Sequence, residues 1–278
     1  LPDEILLITM SVDIQADRLE YYISGWGQHE DHYGILYALR SGNPKDARTW
    51  KPLHDIVARR VFVTQSGRPI KVSGIGVDLG YGQDGAVPAL RQFRATLRRR
   101  GGMAFGIRGA PDVSTPIIGA RMNPPSQRNQ VRKVPTYRET YYIGTNIIKD
   151  LLFHRFRLEK EEGGWSWATG FPEKYFRQLT AERRIRKKTR GGKMRGVWTK
   201  TSPHLRNEAL DLAVYAYATL RLMKPDWSAL TGQGKRIKKQ PLTEIEQETQ
   251  EIAQPDKKRV KSGRNRYSSI KRRRAKFR

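Results

Sequence analysis

Three aspartates stand where chemistry on a phosphate would need them. Asp13 closes an apolar run, Ile5 to Val12, and Asp78 closes a second, Val72 to Val77, just before Leu79-Gly80-Tyr81-Gly82. Asp211 sits in Asn207-Glu208-Ala209-Leu210-Asp211, early in a helical stretch. A carboxylate at the tip of a buried strand adds nothing to packing. Two such anions at close range repel strongly unless a cation lies between them. Oxygen donors in a chain without cysteine favour Mg²⁺ or Mn²⁺ over zinc. Two ions about 3.5–4 Å apart would stabilise the attacking and leaving oxygens of an in-line displacement. The chain carries 54 Lys and Arg against 27 Asp and Glu, a formal net charge of +27. Such an excess draws phosphate polyanions, so the three acids together imply cleavage of nucleic acid.

Each acid also has a plainer reading. Taken singly, Asp13 and Asp78 are better explained as turn aspartates. Asp211 is harder to explain away. It follows Glu208 by three residues and Asn207 by four, so all three can share a helix face, and His204 extends that stripe. Leu210, Ala213, Val214 and Tyr217 form the apolar side, and a carboxylate beside it is costly without a partner. A first-turn acid favoured by the helix dipole accounts for Glu208 better than for Asp211. Glu20, Asp17 and Asp84 are lesser candidates: Asp17 reads as a turn residue and Glu20 as a solvated strand residue. Glu208, His204, Asn207 and Glu20 therefore stand as auxiliary groups.

Positioning the acids requires a sheet. Residues 5–13, 18–27 and 32–40 read as three strands joined by short polar turns, an antiparallel meander. Residues 46–62 have helical spacing, 70–78 are strand-like, 86–100 form an amphipathic helix stopped by Gly101-Gly102, and 103–108 is a further strand. That order predicts a ribonuclease H-like α/β fold, a mixed sheet flanked by helices. Residues 109–137 read as a long loop. Residues 139–156 read as a strand and helix, 172–180 as a short helix with Pro172 near its first turn, and 204–223 as a strong helix ended by Pro225.

Residues 182–200 read as a β-hairpin turning at Gly191-Gly192 and crowded with Arg183, Arg184, Arg186, Lys187, Lys188, Arg190, Lys193 and Arg195. Such a ribbon could straddle a DNA backbone beside the acids, or be a solvated, mobile hairpin. Trp165, Trp167 and Trp198 fit a core better than a stacking platform. From residue 225 onward 16 Lys and Arg face 6 Asp and Glu, and apolar content collapses. This stretch reads as a disordered basic tail, 225–278, after a nuclease domain, 1–224. Its Lys271-Arg272-Arg273-Arg274 run reads as a tether.

Composition excludes several classes. The 278 residues can bury a real core, but 37% hydrophobic content is low for a wholly globular chain, as is a mean hydropathy of -0.72. With no cysteine there is no disulfide, zinc ribbon or thiol nucleophile. No apolar run approaches the roughly 18 residues of a membrane span. The start, Leu1-Pro2-Asp3-Glu4, has no Met and resembles neither a signal nor a transit peptide, and reads as a cut inside a longer protein.

Several motifs then recur together in one order. Val12-Asp13-Ile14-Gln15, Asp17-Arg18-Leu19-Glu20 and Gly25-Trp26-Gly27 resemble the start of the nuclease domain of GpA-type tailed-phage terminase large subunits. Val77-Asp78-Leu79-Gly80-Tyr81 is similar to the second acidic motif of that family, with Leu79 where many members have Ser. Phe171 to Phe176, Gln178 to Glu182, Trp198-Thr199-Lys200, Asn207 to Asp211 and Tyr215-Ala216 are similar to later motifs. The resemblance covers roughly residues 5–222. It implies a ribonuclease H-like endonuclease that cuts concatemeric viral DNA during genome packaging, with Asp13, Asp78 and Asp211 as catalytic metal ligands. It further implies double-stranded DNA, an N-terminal ATPase part, a terminase small subunit and the portal as partners. The expected location is the cytoplasm of an infected bacterial host, without secretion. The family's packaging ATPase is expected elsewhere, since G-x-x-x-x-G-K-[ST] is absent and Gly232-Gln233-Gly234-Lys235 has the wrong spacing. Two other classes fit the residues alone: a ribonuclease H-like junction resolvase or recombinase, and a non-enzymatic nucleic-acid binder.

Overall fold

A computed structural model describes residues 1–80, 83–121, 140–188, 192 and 194–232. The chain begins with strands β1 (Leu7–Ile14), β2 (Arg18–Trp26) and β3 (His32–Ser41), followed by helix α1 (Ala47–Arg59). A two-residue pair, β4 (Phe62–Val63) and β5 (Pro69–Ile70), leads to β6 (Val72–Asp78), α2 (Gln83–Arg98) and β7 (Met103–Gly109). Then come β8 (Ile118–Arg121), β9 (Thr140–Ile143), α3 (Thr145–Arg155), β10 (Trp165–Trp167) and α4 (Glu173–Leu179). A hairpin, β11 (Glu182–Lys188) and β12 (Met194–Lys200), precedes α5 (Glu208–Met223) and the single turn α6 (Trp227–Leu230).

One mixed sheet has the order β10-β3-β2-β1-β6-β7-β9-β8. β1 and β2, and β2 and β3, pair antiparallel, while β6 joins β1 in parallel and β7 joins β6 in parallel. Three meandering strands, a helix, a parallel strand, a helix and another parallel strand give the expected ribonuclease H-like arrangement. β1 lies between β2 and β6 and all eight of its residues are buried, which is why Leu-Ile-Thr-Met-Ser-Val runs almost without charge.

Each face of the sheet carries its own core. On one face Trp50, Leu53 and Val57 of α1 and Leu90, Phe93 and Leu97 of α2 pack on Ile8, Met10, Val12, Ile75 and Val77. On the other, α3, α4 and α5 pack on Tyr22, Trp26, Phe105, Ile107 and Ile143. Every residue of α5 from Ala209 to Leu220 is buried except Asp211, the composition of a helix enclosed on all sides. It can lie close to the sheet because β6 offers glycine there. A methyl added at Gly74 would collide with Met223, and one at Gly76 with Thr219 and Ile107. Lys224, at φ 49° in the left-handed region, ends the helix ahead of Pro225.

Trp165 is buried and Trp167 packs partly buried on the same core, as expected of core tryptophans. Within the stretch read as a long loop, β8 instead pairs antiparallel with β9 at the sheet edge; four residues among Pro and Gly give too short an alternation to read. β10, only Trp165-Ser166-Trp167, adds an equally short strand to the other edge, parallel to β3. The tail beyond residue 232 lies outside the described residues. Before it, Trp227 of α6 packs against the core on the α5 side.

Candidate active site

Strand alternation selects what faces α5. Ile8, Met10, Val12 and Ile14 of β1 point to the α1–α2 core, so Thr9, Ser11 and Asp13 point to the other face. Likewise Ile75 and Val77 of β6 leave Gly74, Gly76 and Asp78 toward α5. β1 and β6 are parallel with Val12 opposite Val77, so the next residue along each strand is an aspartate at the same end and on the same face. The Ser11 hydroxyl donates to the Leu212 carbonyl at 2.9 Å. With Met223 beside Gly74 and Leu212 beside Ser11, α5 runs against both strands and brings its first turn to their C-terminal ends. That turn carries Asp211. The three aspartates therefore come together from two adjacent strands and one helix.

Burial is the largest influence on all three carboxyls, and each also feels the charge of other acids. Asp13 is 5% exposed, and its Oδ2 accepts from Gln15 Nε2 at 2.6 Å. Burial, with the charges of Asp78, Asp211 and Glu20, pushes it up to about 7 against the bond from Gln15. Asp78 Oδ1 accepts from the Gly80 amide at 2.8 Å, and Tyr215 of α5 hydrogen-bonds the same carboxylate. Burial and the Asp211 charge raise Asp78 to about 6. Burial raises Asp211 as well, against the pull of Lys149. The Tyr215 phenol is driven far up by burial and then by all three aspartates. One helix side chain thus feels every member of the cluster.

Lys149 and Glu182 complete the site. Lys149 Nζ on α3 lies 2.8 Å from Glu182 Oε1 and 3.2 Å from Asp211 Oδ1. Asn207, just before α5, makes no cap bond; its amide donates to Glu182 Oε1 at 2.7 Å and to Asp211 Oδ2 at 3.0 Å. Burial notwithstanding, the two carboxylates hold the Lys149 ammonium above its ordinary range.

The donor set suits a hard divalent cation: carboxylate oxygens, no sulfur, and buried anions that repel one another. Among the described residues, though, no three acidic or histidine side chains stand close enough, as oriented, to ligate one ion. Both Asp211 oxygens are engaged, one by Lys149 and one by Asn207.

The auxiliary groups fare differently. Glu20 is opposite Asp13 across the β1–β2 pair but is not solvated: it is fully buried, bonded to Arg18 Nε at 2.8 Å, to the Tyr37 hydroxyl at 2.5 Å and to Arg206. Glu208 is held by Arg206 at 3.2 Å and Arg18 at 3.5 Å. Both acids are thereby committed to arginines beside the cluster. His204 does not join the stripe. The helix starts at Glu208, and Leu205 N–H closes a turn onto the Ser202 carbonyl at 3.1 Å, leaving His204 exposed. Asp17 is an exposed turn residue paired with Arg18. The side chain of Asp84 lies outside the described residues.

The hairpin forms as expected. Arg183, Arg184, Arg186, Lys187, Lys188 and Arg195 are exposed along it, while Arg190 and Lys193 lie outside the described residues. Two of its cations are tethered: Arg184 to Asp150 at 3.0 Å and Arg195 to Asp112 at 3.6 Å. Trp198 seats β12 on α3, stacking on Phe153 with ring centres 4.3 Å apart and donating to Asp150 at 2.8 Å. Sequence reasoning missed Lys149, and placed Glu182 and Tyr215 in family-like motifs without giving either a role. The only available signal for Lys149 was its place among Ile147, Ile148, Leu151 and Leu152, where a lysine needs a partner.

Similarity to known proteins agrees with this geometry. The large terminase subunit of Enterobacteria phage P21 is 28% identical over 236 residues, which is 81% of this chain and 34% of that protein. That of Escherichia phage lambda is 29% identical over 234 residues, again 81% and 34%. The chain thus spans about a third of the length of these relatives. The crystal structure of the yeast mitochondrial Holliday junction resolvase Ydc2 aligns at a TM-score of 0.33 and 8% identity over 84% of this chain and 88% of that one, too weakly to argue from. The endonuclease-domain model of the terminase large subunit gpA matches residues 1–231, nearly all that is described, and the chain belongs to that family.

Proposed function

We propose that this chain is a metal-dependent DNA endonuclease, the nuclease part of a terminase large subunit, cutting concatemeric viral DNA for packaging. The observation that carries the proposal is the meeting of Asp13, Asp78 and Asp211 at the ends of two parallel strands and one helix. Asp13 and Asp78 would hold Mg²⁺ or Mn²⁺ together, and Asp211 would close the site from the helix side. Two bound ions would supply an activated water and charge stabilisation at the leaving oxygen. The chain's own groups do the rest. Tyr215 and Gly80 orient Asp78, and Gln15 orients Asp13. The exposed Arg and Lys of the hairpin bind duplex phosphates, and Glu182 at its base lies one hydrogen bond from the site. By kinship with the two phage subunits, the N-terminal ATPase part, small subunit and portal are the proposed protein partners in the infected cell.

The test is nicking of supercoiled plasmid in Mg²⁺, Mn²⁺ or EDTA. Cleavage should require the divalent ion, and Asp13→Ala, Asp78→Ala and Asp211→Ala should each abolish it while circular dichroism stays native. Near-normal nicking by two of the three variants would show that the cluster does not hold the metal. A strong preference for branched over linear duplex would instead favour a resolvase.

A further inference from the structure

Lys149 has two acidic neighbours and can serve both only while Asp211 is not otherwise engaged. It is 7% exposed and reaches Asp211 and Glu182 from α3. Its nearer acceptor is Glu182 at 2.8 Å, and Asp211 is at 3.2 Å. Asn207 bridges the same two carboxylates. The four side chains close a ring of two anions, one cation and one amide, in which Glu182 is fixed at the base of the hairpin and Asp211 faces the aspartate pair.

We infer that Lys149 is the resident counter-cation of Asp211 and competes with a divalent ion for it. This rests on the metal-binding reading of the aspartates. A cation drawn to Asp211 meets an ammonium already in contact with that carboxylate. Either Lys149 withdraws onto Glu182 or the two positive charges stand within a few ångströms in a poorly solvated site. Glu182 makes withdrawal possible, because the lysine keeps its closer acceptor when Asp211 turns away. Lys149 is therefore a positioning residue: it holds the helix carboxylate in place while no ion is bound and weakens ion binding by its charge. Free divalent ions are then held loosely, and tight occupancy waits for the added negative charge of a phosphate.

The experiment is Mn²⁺ binding to the full 278-residue chain by titration calorimetry, with no DNA present. The wild type is compared with Lys149→Gln, Lys149→Met, Lys149→Arg and Asp211→Asn. Gln keeps a donor for Glu182 without the charge, so that a folding failure of the Met variant does not decide the result. Both uncharged variants should bind Mn²⁺ on the order of tenfold more tightly than wild type, the size expected for removing one charge near the ion. Arg should restore wild-type binding, and Asp211→Asn should bind more weakly than wild type. In thermal melts, the Mn²⁺-induced rise should be larger for Lys149→Gln than for wild type. Binding by wild type that Lys149→Gln leaves unchanged or weaker would overturn the role given to Lys149 alone. No Mn²⁺ binding by any variant would overturn the metal reading, and the competition with it.

Discussion

Asp13→Asn should make the metal-free protein more stable at neutral pH, although it removes a group the chemistry needs. Asp13 is 5% exposed and its carboxyl is raised from 3.8 to about 7. An acid raised in the folded state favours folding while protonated. That advantage is complete below the unfolded value and is lost as pH climbs through the folded one. The metal-free wild type should therefore lose stability between about pH 4 and pH 7. A rise from 3.8 to about 7, at about 1.36 kcal/mol per unit, puts the cost of the ionised group at about 4 kcal/mol. Asn keeps the shape and never ionises. At pH 8 in EDTA it should recover much of that cost, a rise in Tm on the order of 10 °C for a domain of this size. At pH 4.5 the two proteins should melt close together. Mn²⁺ should raise the wild-type Tm at pH 8 and leave the Asn variant almost unmoved, because the ion offsets the same cost of an ionised, buried carboxylate. The assay is a set of melts across pH 4.5–8 with EDTA or Mn²⁺. If Asp13→Asn melts at or below wild type at pH 8 in EDTA, burial and the neighbouring acids do not penalise the ionised Asp13, and the electrostatic account of the site is wrong.

Two further outcomes follow from the architecture. Neutralising Arg183, Arg186, Lys187 and Lys188, while sparing Arg184 for its bond to Asp150, should flatten the salt dependence of DNA affinity. Each lost phosphate contact removes roughly 0.9 from the log–log slope, and nicking should fall further than binding; an unchanged slope in a salt series would remove the hairpin from the interface. Gly76→Val should destabilise the fold by about 1–3 kcal/mol in denaturant titrations, because its side chain meets Thr219 and Ile107 where α5 lies on β6. Wild-type stability in that variant would mean that α5 does not pack there as described.

The parts of this fold legible in the sequence are those where one physical demand dominates a long stretch. β1 is buried on both faces, so its apolar run is unbroken until Asp13, and its end could be placed to within a residue. α2 shows one apolar face and one basic face, and the hairpin announces itself by its glycines and charge. What stayed hidden depends on pairing between distant segments. β8 and β10 are strands only because β9 and β3 offer them edges. The same holds at the site. Asp13, Asp78 and Asp211 were visible because each sits at the end of a regular element with a readable period. Glu182 reads locally as one more charge in a charged hairpin, and Lys149 as one lysine on a helix. Only when α3, β11 and α5 are packed do a cation and an anion, 33 residues apart, become a buried pair touching the helix carboxylate. Glu20 was misjudged for the same reason. Its burial depends on Arg206, 186 residues away, and on Tyr37 of the next strand. A lone acid in a strand looks solvated until its partners arrive. Carboxylates that carry the reaction can thus be read from strand and helix ends, whereas the charges that hold them in place must be read from the packed structure.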